Sequence, residues 1–276
     1  MAKSNPKTAP AAHLVEMDDL NLDSSWLTDS RVKSQQLRVG TDAGAPIEHL
    51  IYGSGLESFV LDIGGNETAS KTLNAVGEQM LFRHFNLIVI PVRDEGQDVD
   101  NAVKTINLIR EHDRNVKISI LLNDISSRSQ DLADHALRES FAEVFELAEQ
   151  AACEMMVMPR IERYGRSRRL GMTQWEINED REAIADDLKT RVLAAEASGD
   201  QAQAKLLTRL IRAVSGSRQI REMIDVVHTR LDQILGTGHQ RLRVMVVSTK
   251  GGVGKSVCSQ QLIATYLLSR LGVSHE

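Results

Sequence analysis

Cysteine, proline and aromatic side chains are all scarce in this chain. Its two cysteines, Cys153 and Cys258, both lie in apolar-leaning stretches, so neither a disulfide framework nor a thiolate metal cluster is expected. Aromatic residues make up only 4% of the chain, which fits aliphatic packing of a parallel sheet between helices. Long apolar runs are missing too: none approaches a membrane span, and the N-terminus has no signal-peptide apolar region. The expected location is the cytoplasm. The net charge is −5, so any attraction to nucleic acid must come from a local patch. No internal repeat is present. At 276 residues the chain has room for one large α/β domain or two small ones.

The most informative stretch lies near the C-terminus, Val244-Met-Val-Val-Ser-Thr-Lys-Gly-Gly-Val-Gly-Lys-Ser256. Val244 to Val247 is an apolar β-branched run that reads as a buried strand. Glycines at 251, 252 and 254 follow, then Lys255, Ser256 and an amphipathic run from Val257 to Leu271. Strand, glycine loop, Lys-Ser and helix together form a phosphate cradle. Glycine lets successive backbone N–H groups curl toward an anion, with the positive end of the helix dipole behind them. Lys255 is expected to reach the β- and γ-phosphates and Ser256 to ligate Mg²⁺.

Upstream, strands alternate with helices. The strands are expected at 13–17, 59–63, 87–92, 116–122 and 154–158, and the helices at 68–82, 99–109 and 132–151. A long helical tail is expected over 177–235, and residues 24–55 carry mixed signals. This alternation predicts an α/β fold with a doubly wound, mostly parallel sheet whose ligand lies at the strands' C-terminal ends. Asp62 ends one apolar strand, the placement of a carboxylate that holds Mg²⁺. Gly64 and Gly65 behind it have backbone N–H groups suited to a γ-phosphate, or make an ordinary strand-to-helix turn.

Lys250-Gly-Gly-Val-Gly-Lys-Ser256 resembles the deviant Walker A loop of the ParA/MinD family of P-loop ATPases. The resemblance extends to Glu16-Met-Asp18, Asp62-Ile-Gly-Gly-Asn-Glu-Thr68, Leu87-Ile-Val-Ile-Pro-Val92, Ile118-Ser-Ile-Leu-Leu-Asn123 and Met156-Val-Met-Pro159. It covers about residues 13–160 and 242–272. It implies an ATP and Mg²⁺ site in which Gly251, Gly252, Val253, Gly254, Lys255, Ser256 and Val257 hold the phosphates. Lys250 would cross a dimer interface to the partner's nucleotide. Asp18 would position the attacking water and Glu16 replaces the first acid of the family's Asp-x-Asp. The Pro-Gln-Gly that commonly follows is Asp19-Leu20-Asn21 here, so Asp19 competes with Asp18 for that role. Asn123 would read adenine and Pro159 would flank the base. Activity is expected to be weak, partner-stimulated ATP hydrolysis. The switch would be an ATP-dependent homodimer that binds DNA non-specifically, nucleoid-associated when ATP-bound, with a DNA-bound partition or activator protein. The alternatives are a MinD-like regulator at the membrane, an Fe–S reductase on the same scaffold, and a nucleotide-binding module with little or no hydrolysis.

The family's order is rearranged. Its P-loop strand comes first, whereas here that unit comes last and the first 240 residues contain no second copy. The chain therefore reads as a circular permutant joined through Gly236-Thr-Gly238, with a lead-in at 1–12 and one domain over 13–276. That domain divides into core strands (13–176), helical tail (177–238) and P-loop unit (239–276). Two rivals are a second domain beginning at the P-loop unit and a domain swap with a neighbour. A central strand arriving last predicts slow folding.

Basic residues concentrate in two places. Arg160, Arg163, Arg166, Arg168 and Arg169 fall within ten residues, opposed only by Glu162. Lys205, Arg209 and Arg212 recur at i, i+4 and i+7 on one helix face, with Leu206, Leu210 and Val214 toward the core. Both are candidate DNA contacts or solvated surface, and an arginine of the 160–169 loop could instead act on the nucleotide, given the fit of its guanidinium to phosphate. Ile220, Met223, Ile224, Val227, Leu231 and Leu235 form an apolar helix face expected to pack in a core or dimer, and Trp26 and Trp175 read as packing residues.

Overall fold

In the computed structural model, residues 11–18, 24–40, 42–65, 67–125, 130–160, 168–236 and 241–271 are described. Their strands are β1 (Ala12–Met17), β2 (Val32–Leu37), β3 (Phe59–Ile63), β4 (Leu87–Val92), β5 (Ile118–Ile125), β6 (Glu154–Pro159) and β7 (Arg243–Val246). They form one sheet in the order β2-β1-β3-β7-β4-β5-β6, and every pairing is parallel. Strands that are parallel and covered on both faces must be apolar on both, which explains the unbroken hydrophobic runs of β4 and β7. Val244, Met245 and Val246 are fully buried.

The last strand in sequence thus sits at the centre of the sheet, hydrogen-bonded between β3 and β4 of its own chain. Val246 is level with Asp62 on one side and Val89 on the other. The lead-in ends earlier than expected, since Ala12 is already a buried residue of β1.

One face of the sheet is covered by α1 (Ala45–Tyr52), α2 (Glu67–Glu78), α3 (Gly96–His112), α4 (His135–Ser140) and α5 (Ala142–Gln150). The expected single helix over 132–151 breaks at the buried Phe141, whose φ of −113° and ψ of 29° are not helical. Residues 24–55, mixed in signal, supply edge strand β2 and helix α1. Edge strand β2 is mostly polar because only one side of it is paired, so its sequence lacks the run that marks a central strand.

The other face is covered by two helices (the cover helix, Ser217–Leu235, and the helix that follows the glycine loop). The loop helix runs from Lys255 to Leu271 and is π-helical over Cys258–Ile263. Ile224, Val227, Leu231 and Leu235 of the cover helix pack on the sheet, together with Trp175. That apolar face is core, as expected. The 177–235 tail is not one helix. It breaks at Asp180, at 198–200 and at Gly216, giving Gln174–Glu179, Arg181–Ala197, Gln201–Ser215 and the cover helix. Arg181–Ala197 and Gln201–Ser215 form a hairpin with a small core of its own around Leu188, Leu207, Leu210 and Val214. Leu207, not Leu206, is the buried leucine, and these side chains do not reach the sheet.

Candidate functional site

Four strand ends converge on the loop after β7. Gly252 and Gly254 have φ of +79° and +83°, the left-handed region that L side chains enter only with strain, so the loop's tight path depends on glycine. Thr249, where the common pattern has glycine, is anchored to α3. Its hydroxyl lies 3.2 Å from the Asn101 carbonyl oxygen and 3.2 Å from Thr105 Oγ1. Lys250 follows it onto the same helix and donates to the buried Asp98 carboxylate and, at 3.1 Å, to Glu95. These bonds, Asp98 first, raise the lysine's pKa. Lys250 is therefore held within its own chain.

Lys255 is buried, and its ammonium donates to the Lys250 carbonyl at 2.8 Å. Burial pushes its pKa down, while the nearby carboxylates of Asp62 and Asp18 oppose that shift. A cation stripped of water and curled back on the loop's own backbone is a group poised to accept an anion. Ser256 beside it is half-buried, as is Val257, which packs toward the cover-helix side.

The neighbouring strand ends meet the loop closely. The Gly64 N–H donates to the Met17 carbonyl at 2.8 Å, tying β3 to β1 beside Asp18. A Cβ on Gly65 would stand 2.8 Å from the Gly251 nitrogen, so only glycine lets the end of β3 lie against the loop. Asp62 and Glu16, level with each other on β3 and β1, are both buried on the loop-helix face. Asp62 accepts from Ser259 Oγ at 2.5 Å. Glu16 accepts from Ser24 Oγ at 2.7 Å and from the Gln260 amide at 3.2 Å, and Gln260 in turn accepts from the Trp26 indole. Gln261 accepts from the Gln174 backbone at 2.8 Å. Three consecutive polar residues of the loop helix thus tie three separate segments to the site. Ser259 and Gln260 were not foreseen, nor was the pairing of Asp98 with Lys250. The signal for the first two was visible as a Ser-Gln-Gln triplet inside an otherwise apolar helix.

Other expected residues are placed differently. Asn123 donates its side-chain amide to the Val253 carbonyl at 2.9 Å, so in this structure it holds the loop itself. Pro159 ends β6 opposite Ile125, next to that strand end. Arg160 is committed to Asp124 through two bonds, which removes it from the set of unengaged basic side chains. Arg168 and Arg169 are exposed, with the Arg168 guanidinium 5.8 Å from the centre of the Trp26 ring. Lys205, Arg209 and Arg212 are exposed on the outer face of the hairpin, remote from the sheet core. Asp19, Arg163 and Arg166 lie outside the described residues.

The donor set fits a magnesium nucleotide. A glycine loop at the start of a helix, a desolvated lysine, one strand-end carboxylate and one loop hydroxyl leave the remaining metal positions to phosphate oxygens and water, the usual sharing for Mg²⁺. Among the described residues no three His, Cys, Asp or Glu side chains gather as a metal cage. No described helix is long and apolar enough to cross a membrane. No family model, curated protein or solved structure matches the chain.

Proposed function

We propose that the chain is a dimerising ATPase switch of the ParA type, with its P-loop unit permuted to the end of the chain. The supporting observation is the seating of β7 between β3 and β4, which sets Lys255 beside Asp62 at the mouth of one sheet. In this reading Gly251 to Val257 wrap the phosphates and Lys255 leaves the Lys250 carbonyl for the β- and γ-phosphates. Ser256 and Asp62 hold Mg²⁺, which when bound neutralises charge on those phosphate oxygens. Asp18, beside Gly64, orients the attacking water. Lys250 exchanges Asp98 and Glu95 for the partner subunit's nucleotide, so closure of the dimer and completion of the site are one event. The closed dimer binds DNA through the hairpin's basic stripe, and hydrolysis releases it.

The test is nucleotide binding and turnover in three proteins. Wild type is expected to bind Mg·ATP, to dimerise with it and to hydrolyse it slowly. Lys255→Ala should lose nucleotide. Lys250→Ala should retain nucleotide but fail to dimerise or turn over, and an unchanged ATPase rate in that variant would remove Lys250 from the mechanism. Binding without turnover in wild type would leave a nucleotide-sensing module in place of an enzyme.

A further inference from the structure

β5 ends irregularly, on the side of the loop away from Asp62. It stays in register with β6 as far as Asn123 opposite Met158, then skips, so that Ile125 opposes Pro159 and Asp124 is left over. Asp124 has a φ of +62°, a left-handed backbone that aspartate adopts more readily than most L residues, and its contacts hold it there. The Asp124 carboxylate accepts from Arg160 Nε at 2.7 Å and from a second guanidinium nitrogen at 3.1 Å, and the Arg160 N–H donates to the Ile125 carbonyl at 2.8 Å. A bulge locked in this way re-aims the side chain next to it.

That side chain is Asn123, which is buried and donates to the Val253 carbonyl. The carbonyl of Val253 and the N–H of Gly254 belong to one planar trans peptide, so they point in opposite directions. Pinning the oxygen outward, toward β5, turns the Gly254 N–H the other way. Gly254 is also the residue whose Cβ, if it had one, would meet the Asn123 amide nitrogen at 2.3 Å. The clasp and the glycine therefore require each other.

We propose that Asn123 is a positioning residue that orients the Val253–Gly254 peptide so that its N–H faces the bound phosphates, with Asp124 and Arg160 holding Asn123 in place. This rests on the nucleotide reading of the loop. It gives Asn123 a role toward phosphate, not toward the base, and gives Arg160 a role inside the site.

The experiment measures calorimetric affinity for Mg·ATP and for Mg·tripolyphosphate, which has the same phosphates and no base. The proteins are wild type, Asn123→Ala and Asn123→Asp. Losing one hydrogen bond that orders the loop should weaken both ligands by a similar factor, roughly tenfold. Asn123→Asp should lose at least as much, because a carboxylate repels the Val253 carbonyl. Loss confined to ATP with tripolyphosphate unaffected would make Asn123 a base reader and overturn the proposal, as would no loss on either ligand. Hydrogen exchange across residues 250–257 in the unliganded proteins decides the clasp independently: it should quicken in both variants, and unchanged exchange overturns it. If wild type binds neither ligand, the nucleotide reading fails, while exchange still decides whether Asn123 orders the loop.

Discussion

The loop helix and the hairpin are both α-rich, but they are held in opposite ways. From Cys258 to Thr265 every residue of the loop helix is fully buried, including Ser259, Gln260, Gln261 and Thr265. Ser259, Gln260, Gln261 and Thr265 bond to partners far away in sequence, on β3, β1, the Trp26 segment, Gln174 and the cover helix, although the Gln261 side-chain nitrogen itself is left without a hydrogen-bond partner. The hairpin closes around six buried side chains of its own, joined by Ile177 of the preceding helix, and keeps its charges outside, some in local pairs such as Lys189–Asp186 and Arg191–Asp187. The first element exists because of what surrounds it, and the second largely because of its own periodicity. A perturbation of the loop helix should therefore be felt across the sheet, and one in the hairpin should stay there.

The largest effect that can break this contrast comes from matched core deletions. Leu262 of the loop helix and Leu207 of the hairpin are both buried, and replacing either with alanine should cost about 2–5 kcal/mol. The difference lies in where the cost appears. Leu262→Ala should lower the global unfolding midpoint and accelerate hydrogen exchange in β3 and β7 together. Leu207→Ala should open residues 181–215 while β3 and β7 keep their protection, as a separate cooperative unit would. Equal loss of sheet protection in both variants would show that the hairpin is part of the same unit.

A pH titration gives the next effect in size. His228, on the cover helix, is buried against the loop helix, with Nε2 3.1 Å from the Leu262 carbonyl and 3.3 Å from Thr265 Oγ1. Its ring meets Tyr266 edge-on, and Tyr266 in turn donates to Asp232 at 2.6 Å. Burial, helped by Arg221 and Arg270, pushes its pKa down from 6.5 to about 3. Because the folded pKa is the lower one, the unfolded chain binds more protons between those values. Stability is therefore complete above pH 6.5 and declines as pH falls toward 3, by up to about 1.4 kcal/mol per unit from this group. His228→Gln should flatten that part of the profile measured by denaturant unfolding. The hairpin contains no histidine, so its own opening should lack this dependence.

What could be read in advance follows the same division. The runs of β3, β4 and β7 and the glycine loop were legible because a parallel strand buried on both faces needs a continuous apolar run and a cradle needs glycine. The central place of β7 followed from a front half with no glycine–lysine loop of its own. Edge strand β2 was missed because half of it faces solvent. The break at Phe141 was missed because an aromatic residue in a helical pattern gives no stop signal. The importance of Asp98 was not legible, since it comes from Lys250, more than a hundred residues away. Asn123 was legible as a strand-end amide, but its target was not, because a bulge held by Arg160 decides where it points.

The smallest expected effect sharpens the comparison from the surface side. Among the described ion pairs none involves Lys205, Arg209 or Arg212, although the Gln201–Ser215 helix contains no acidic residue to balance them. Replacing all three with alanine should leave stability within about 0.5 kcal/mol, because solvated side chains outside a core contribute little to folding. If this stripe is where DNA phosphates dock, affinity should fall and the slope of log K against log salt should become shallower by about one for each lost contact. Nucleotide affinity should not change, because the stripe stands on an element with its own core. An altered slope with unaltered nucleotide binding would assign the hairpin a duty separate from the site. An unaltered slope would leave the stripe as ordinary solvated charge and move the search for a nucleic-acid face to Arg168 and Arg169.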